Sequence, residues 1–467
     1  MVLRGDLRAA ANAGITRQAS ASAFPGKITL GGKEYQKDNW FNVPDSIANS
    51  LTRELHNTPD HPISITRSIV ESKFPSPTFK HYNKFFPVVS THENFDSLGF
   101  PADHPGRSKT DTYYVNEKTV LRTHTSAHEL AIFGANESVG YTCSADVYRR
   151  DAIDKTHYPI FHQMEGARMW DRRKAPGGNI VQAVWDDISN LPTHDMIVED
   201  PNPPTHPERN PLQHGHSHDE AEAIAAHLKR SLELMVVEIF SRAKTAAIAA
   251  DPNYHDEPLK VRWIEAYFPW TSPSWELEIF WQGDWLEVLG CGVVKQELLE
   301  NAGVPSQLGW AFGIGLERIA MLLFEIPDIR LFWSQDARFL DQFKGVSSDL
   351  TSLKRYVPFS KYPACYKDVA FWLQPSSSST TSAAGGLAPV QSFHENDVME
   401  IVREIGGDVV EDVRKTDEFT HPKTGRKSLC YRINYRSLER TLTNEEANEF
   451  HEQVRAALAR RLGVVLR

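Results

Sequence analysis

Asp146-Val147-Tyr148-Arg149-Arg150-Asp151, followed about a dozen residues on by Phe161-His162-Gln163-Met164-Glu165-Gly166, reads as an arginine leaving one strand, a polar loop and a returning strand. Strand alternation puts Phe161, Gln163 and Glu165 on one face of the returning strand and Ile160, His162 and Met164 on the other. An aromatic ring, an amide and a carboxylate on one face suit a ligand with a ring and an amine. Arg149, on the outgoing strand, reaches the same cleft, and its guanidinium offers a planar fork of donors matched to phosphate. Taken alone, the segment fits cross-strand ion pairing on an exposed sheet at least as well.

A distant second segment, Gly309-Trp310-Ala311-Phe312-Gly313-Ile314-Gly315-Leu316-Glu317-Arg318, adds to it. Its Gly313-x-Gly315-x-x-Arg318 spacing lacks the third glycine of a dinucleotide turn and has arginine there. A glycine turn at this place lets backbone approach a nucleotide, and Arg318 projects from the first helical turn toward phosphate. By itself the pattern is also a plain strand-to-helix turn with a surface arginine. Glu287, between Leu286 and Val288, is directed to the working face of its strand. A carboxylate there holds a divalent ion bridging phosphates or pairs with an arginine. Together the segments point to ATP held by arginines rather than by a Walker loop.

The 467 residues allow two or three domains. With 40% hydrophobic and 24% charged residues, the composition is that of an ordinary globular protein. The net charge of −10 weighs against nucleic-acid binding over the whole surface and leaves room for a local basic patch. Cys143, Cys291, Cys365 and Cys430 stand singly, which argues against zinc and against a disulfide framework and fits a reducing compartment. No apolar run approaches the roughly 20 residues of a membrane span. At residues 1–24, Arg4, Arg8 and Arg17 face only Asp6 among Ala and Ser, a pattern shared by organelle transit peptides and by plain unstructured termini. His214, His216 and His218 have metal-ligand spacing, yet no acidic or cysteine partner is forced near them, so adventitious metal binding is the expectation.

Periodicity orders the rest. Residues 47–73 are helix-compatible with breaks at Pro62 and Pro75, and 84–165 alternate short strands with turns. The Pro-, Asn- and His-rich stretch from Pro176 to Asp219 suits a surface insertion. Ala221–Ala249 is helical, with Leu228, Leu232, Met235, Val236, Ile239 and Phe240 on one stripe. Strands are expected at 261–268, 275–281 and 285–290, and a helix after Gly315. The remainder predicts strand, helix, two strands around His421–Gly425, a helix capped by Thr443 and Glu446, and a last strand at 464–466. That β-α-β-β-α-β order is the ferredoxin-like arrangement. The Ser/Thr/Gly-rich loop at 376–386 interrupts it.

With both segments in place, the chain resembles the class II aminoacyl-tRNA synthetases, whose motifs 2 and 3 the two segments look like. His124–His128, Thr156–Gln163, Tyr267-Phe268-Pro269, Leu286–Gly292 and Ile329–Trp333 resemble the phenylalanyl enzyme of mitochondrial type. The likeness runs from about Lys37 to the end, apart from 171–219 and the Ser-rich loop. It implies an α+β architecture. The catalytic domain at 25–340 is a mostly antiparallel sheet flanked by helices, with 171–219 as a surface insertion. A linker at 341–359 leads to a ferredoxin-like anticodon-binding domain at 360–467, and residues 1–24 are a mitochondrial transit peptide.

The resemblance implies that Arg149 clamps the α-phosphate of ATP, Arg318 holds the γ-phosphate and His157 contacts the phosphates. Phe161 stacks on adenine, Glu287 lies beside ATP and its Mg²⁺, and Ser126, Gln163 and Glu165 anchor the amino group of phenylalanine. His124, Ala127, His128, Glu129, Thr156, Tyr158 and Met164 complete the implied contact set. Phe268 and, two residues along on the same strand face, Trp270 supply edge-to-face contacts to the substrate ring. The family pattern has phenylalanine where this chain has Trp270. Ala311, near the para position, and Phe312 close the pocket. Cys291, flanked by Gly290 and Gly292, reads as small packing rather than a nucleophile.

Between Arg414 and Arg440 stand eight Lys/Arg against three acids. Arg414, Lys415, Lys423, Arg426, Lys427, Arg432 and Arg436 are therefore candidate tRNA contacts, with a solvated hairpin face as the plain alternative. Tyr431 and Tyr435 alternate with these arginines. The implied activity is phenylalanine plus ATP to phenylalanyl-adenylate, then transfer to the 2′-hydroxyl of the terminal adenosine of tRNA-Phe. A single-chain enzyme of the mitochondrial matrix without a separate editing domain follows from the same resemblance. A relative activating another amino acid, and a silent tRNA-binding protein that kept the fold, are the alternatives.

Overall fold

Gly140–Tyr148 and Ile160–Asp171, the strands on either side of the arginine loop, lie inside an eight-stranded sheet of the computed structural model. The structure describes residues 26–251, 253, 257–281, 283–359, 362–374 and 393–467. The expected transit segment at 1–24, Gln282 between the strands expected at 275–281 and 285–290, and the 376–386 loop lie outside the described residues.

In chain order the sheet comprises β1 (Phe79–Tyr82), β2 (Gly140–Tyr148), β3 (Ile160–Asp171), β4 (Ile197–Glu199), β5 (Lys260–Glu265), β6 (Thr271–Trp281), β7 (Asp284–Val294) and β8 (Gln307–Gly315). Their spatial order is β1-β2-β3-β8-β7-β6-β5-β4. The six inner strands are antiparallel to one another, and only the short edge strands β1 and β4 pair in parallel. Helices cover the sheet, among them α1 (Pro62–Glu71), α2 (Ile180–Ser189), α3 (His218–Ala250) and α4 (Leu316–Phe324). The stripe on α3 is buried in the main core with Trp275, Trp310 and Phe312. Truncating any of these aromatic rings to alanine costs about 3–5 kcal/mol.

Three expectations change here. Pro62 opens α1 at its first position instead of breaking a helix, because its missing N–H is an orphan donor there anyway. The stretch read as a surface insertion is part of the structure: it supplies α2 and the edge strand β4, and buries Val184 and Met196 in the main core. Asn210 and Gln213 pin it by donating to the carbonyls of Ser274, at 3.0 Å, and Ser272, at 2.7 Å. The strand expected at 261–268 ends at Glu265, and the next begins at Thr271.

The C-terminal domain contains β9 (Cys365–Trp372), α5 (Glu395–Gly406), β10 (Val410–Thr420), β11 (Lys427–Tyr435), α6 (Asn444–Leu462) and β12 (Val465–Leu466). The antiparallel order β10-β11-β9-β12 is the ferredoxin-like one. Ile153, from the loop between β2 and β3, is buried in this domain's core. Arg403 donates to the carbonyl of Asp151 at 2.6 Å, Arg150 pairs with Asp397 at 3.0 Å, and Tyr113 donates to Glu400 at 3.0 Å. The second domain therefore holds the loop that carries the candidate phosphate ligands.

Candidate active site

One cavity of about 1150 Å³ lies over β3, β8 and β7 and gathers most of the residues singled out from sequence. Phe161, Gln163 and Glu165 line it, while Met164 points to the opposite face and is fully buried in the main core. Alternation on a regular strand explains both placements. Met164 is therefore removed from the contact set. Ala127 and His128 leave it too: Ala127 packs with Phe95 and Val120, and His128 stacks on Phe85 at 4.3 Å and meets Arg122.

Gly313 and Gly315 are not a turn. They are the last positions of β8, in register with Glu165 and Gln163 of β3, and α4 starts directly after them. A Cβ on either would meet nothing within 4 Å. Packing does not require glycine there, so the bare strand leaves the cavity floor open to a ligand. Arg318 projects from the first turn of α4, and its Nη1 is 3.5 Å from Glu287. Of the two roles expected for Glu287, pairing with arginine is the one seen here.

At one end of the cavity the polar groups are buried. Thr125 donates to Glu165 at 3.1 Å, and Gln163 accepts the Thr125 N–H at 3.3 Å. Burial pushes Glu165 up to about 7. Glu129, which is 3% exposed, has one carboxylate oxygen without a partner among the described residues. Burial, reinforced by the Glu165 charge, holds its carboxyl well above the usual range. Two carboxyls sharing a dry site cannot both ionise without a cation.

Next to them is the aromatic wall. Phe268 and Trp270 stack at 6.2 Å, and Trp270 also meets Phe100 at 5.6 Å and His124 at 5.9 Å. They lie on a connection, not on the strand expected for them, yet they face the same cavity. Gly290 admits the Phe268 ring, since a Cβ there would come within 2.6 Å of it. His124 lies flat on Phe100 at 5.5 Å, and burial, helped by Arg149, lowers its pKa to about 3, so the imidazole is neutral. Ala311 lines the cavity as expected. Phe312 borders it, but its ring packs on Phe74 at 5.2 Å in the core instead of closing the pocket. Cys291 is buried, and burial pushes its thiol up, away from reactivity.

At the other end are cations. Arg149 donates to the Thr123 carbonyl at 2.8 Å and lies 5.3 Å from the Phe161 ring. It has no ion-pair partner among the described residues, and burial lowers its pKa. A half-buried guanidinium facing only the Asp151 charge, with no carboxylate in ion-pair contact, suits an anionic ligand. His157 is raised by its 2.7 Å contact with Asp154, which favours the imidazolium. Thr156 and Tyr158 flank it on the cavity wall.

Sequence reasoning missed several lining residues, among them Glu317, Phe100, Trp285 and Asn396. Glu317 accepts both the backbone N–H and the ring of His162, at 2.7 and 2.6 Å, which locks α4 to β3. Phe100 and Trp285 complete the walls, and Asn396 arrives from the second domain. Only Glu317 had a signal, its place beside Arg318.

The expected RNA-binding stripe is largely neutralised. Arg414 pairs with Asp412, Lys415 with Glu395 and Glu418, Lys427 with Glu418, Arg432 with Asp368 and Arg436 with Glu411. Lys423 and Arg426 have no ion-pair partner among the described residues. Tyr431 and Tyr435 are fully buried and do not stack on a surface ligand.

An antiparallel sheet with an arginine-bordered, glycine-floored cavity and a ferredoxin-like second domain defines a class II tRNA synthetase. Residues 47–173 and 232–343 match the tRNA synthetase class II core domain (F), and 360–467 match the ferredoxin-fold anticodon binding domain. Along its length the chain is similar to the mitochondrial phenylalanine–tRNA ligase of Saccharomyces cerevisiae, at 50% identity over 97% of this chain and 98% of that one. It is also similar to the mouse mitochondrial ligase, at 40% identity over 96% and 90%, and to the chloroplastic/mitochondrial ligase of Arabidopsis thaliana, at 40% over 91% and 82%. The chain belongs to the phenylalanine–tRNA ligase family.

Proposed function

We propose that the protein joins phenylalanine to tRNA-Phe in mitochondria, in two steps at this one cavity. The observation that carries the reading is the polarity of the site: an aromatic end with two buried carboxyls, and a cationic end where Arg149 has no ion-pair partner among the described residues. The substrate ring fits against Phe268 and Trp270, and its ammonium supplies the cation that lets Glu165 ionise beside a neutral Glu129. The adenine stacks on Phe161, with Arg149 against its α-phosphate and Arg318 and His157 toward the outer phosphates.

The amino-acid carboxylate attacks the α-phosphorus, the bond to the β-phosphate oxygen breaks, and pyrophosphate leaves. Arg149 offsets the charge that develops on the phosphorus, so catalysis is positioning and electrostatics with no protein nucleophile. A hydroxyl of the terminal adenosine then attacks the adenylate carbonyl and AMP departs. Glu287 suits a magnesium ion carried in with ATP: with Glu278 it makes a negative field that, after burial, raises Glu276, and such an ion would neutralise the phosphates. The mitochondrial assignment rests on the names of the relatives, and a single-chain enzyme is the proposed working form. No helix among the described residues is long and apolar enough to cross a membrane.

Charging of tRNA-Phe with labelled phenylalanine tests the reading. Arg149→Ala should abolish exchange and charging while leaving tRNA binding in place; unchanged exchange refutes its role. A hydrodynamic mass of one chain is expected, and a stable dimer contradicts the single-chain form.

A further inference from the structure

We infer that Trp372, Phe419 and His421 form a base-stacking platform for the unpaired bases of the tRNA anticodon loop. This rests on the reading of the chain as a tRNA-charging enzyme. It departs from the basic stripe as the contact surface.

The platform follows from strand register. Ser428 of β11 is paired on one side with Phe419 of β10 and on the other with Trp372 of β9. The three therefore occupy one rung of the sheet and share a face. Their neighbours Phe371 and Leu429 point to the helix side and are buried, so the rung belongs to the open face. The two rings meet across it at 6.1 Å, edge to face, and cover Ser428. His421 closes a triangle, 6.3 Å from Trp372 and 6.4 Å from Phe419. Its Nδ1 accepts the N–H groups of Lys423 and Thr424, at 3.3 and 3.2 Å, which fixes the ring against the hairpin tip. Phe419 nevertheless remains 42% exposed.

Charge marks the same place. Arg426 and Arg467 lie over the Trp372 ring at 5.4 and 5.7 Å. Arg426 has no ion-pair partner among the described residues, and its Nε has no hydrogen-bond partner. Lys423, at the tip, is also without an acid among the described residues. The cations without an acid among the described residues thus lie by the half-buried Trp372 and the exposed Phe419, whereas those along the stripe are spent on carboxylates. An exposed Phe419 ring backed by Trp372 and His421, with cations that have no acid among the described residues, matches single-stranded RNA, whose bases stack while phosphates take the charge. Duplex RNA offers no splayed base to such a triangle.

The test uses the full-length chain with a tRNA-Phe transcript, and the same transcript with its anticodon bases made abasic. Stacking of one base is worth about 1–3 kcal/mol, so Phe419→Ala should raise KM for tRNA roughly tenfold. Phe419→Tyr should retain binding, which separates stacking from misfolding. Lys423→Ala should flatten the salt dependence by about one phosphate contact. Phenylalanine-dependent exchange should be unchanged in all three, and Phe419→Ala should cause no further loss on the abasic transcript. A Phe419→Ala enzyme that charges intact tRNA with wild-type KM overturns the platform while leaving the activity standing. Absence of exchange and charging in the wild type would instead defeat the functional reading itself.

Discussion

Raising the pH from 6 to 8 should increase kcat/KM for phenylalanine roughly tenfold, and Glu165 should be the cause. The ammonium of the substrate binds the ionised carboxylate, but the empty cavity favours the neutral acid because burial raises its pKa to about 7. A group titrating there is about one-tenth ionised at pH 6 and about nine-tenths at pH 8, while the substrate ammonium stays protonated throughout. In the ligand-free protein the sign is opposite for stability: the folded state retains a proton that an exposed glutamate, with its ordinary value of 4.5, has lost. Stability from this group is thus present at acid pH and declines as pH rises toward 7. Glu165→Gln removes the charge, should flatten the profile, and should raise KM on the order of 100-fold, from about 3 kcal/mol for breaking a buried ion pair. Glu129→Gln should bind within a few-fold of wild type, since Glu129 is the carboxyl held neutral. Pyrophosphate exchange at saturating ATP, from pH 5.5 to 8.5, measures all three. A flat wild-type profile, or a Glu165→Gln profile that still rises tenfold, would refute the assignment.

Gly313→Ala should fold with an unchanged thermal midpoint, because its Cβ meets nothing, yet weaken substrate binding in a calorimetric titration by intruding on the cavity floor. Gly290→Ala should damage both, since its methyl would come within 2.6 Å of Phe268; normal KM for phenylalanine would show that the ring is free to move. Arg403→Ala removes bonds to the Asp151 and Ala152 carbonyls. It should lower the thermal midpoint and raise KM for ATP through the loop that holds His157, effects that a midpoint equal to wild type would contradict.

Much of the site was legible because strand alternation is strictly local. The faces of 160–165, the stripe on α3 and the order of the second domain all follow from periods within one element. What was not legible depends on neighbours in space. Phe268 and Trp270 have strand-forming side chains, but the chain turns at Pro269 and returns as β6. Phe312 lies one step along β8 from Ala311 and so faces the core. The insertion's polar composition concealed a helix with Val184 on its buried side. Counting charge along 414–440 could not reveal that Asp368, Glu395, Glu411 and Asp412, outside or at the edge of that window, neutralise most of it. Asn396 reaches the cavity only because the domains dock.

The most direct test of a phenylalanine-activating site is ATP–pyrophosphate exchange by the purified protein with each common amino acid offered in turn. Phenylalanine should stimulate exchange far above the others. Stimulation by a different amino acid, or by none, would contradict the assignment.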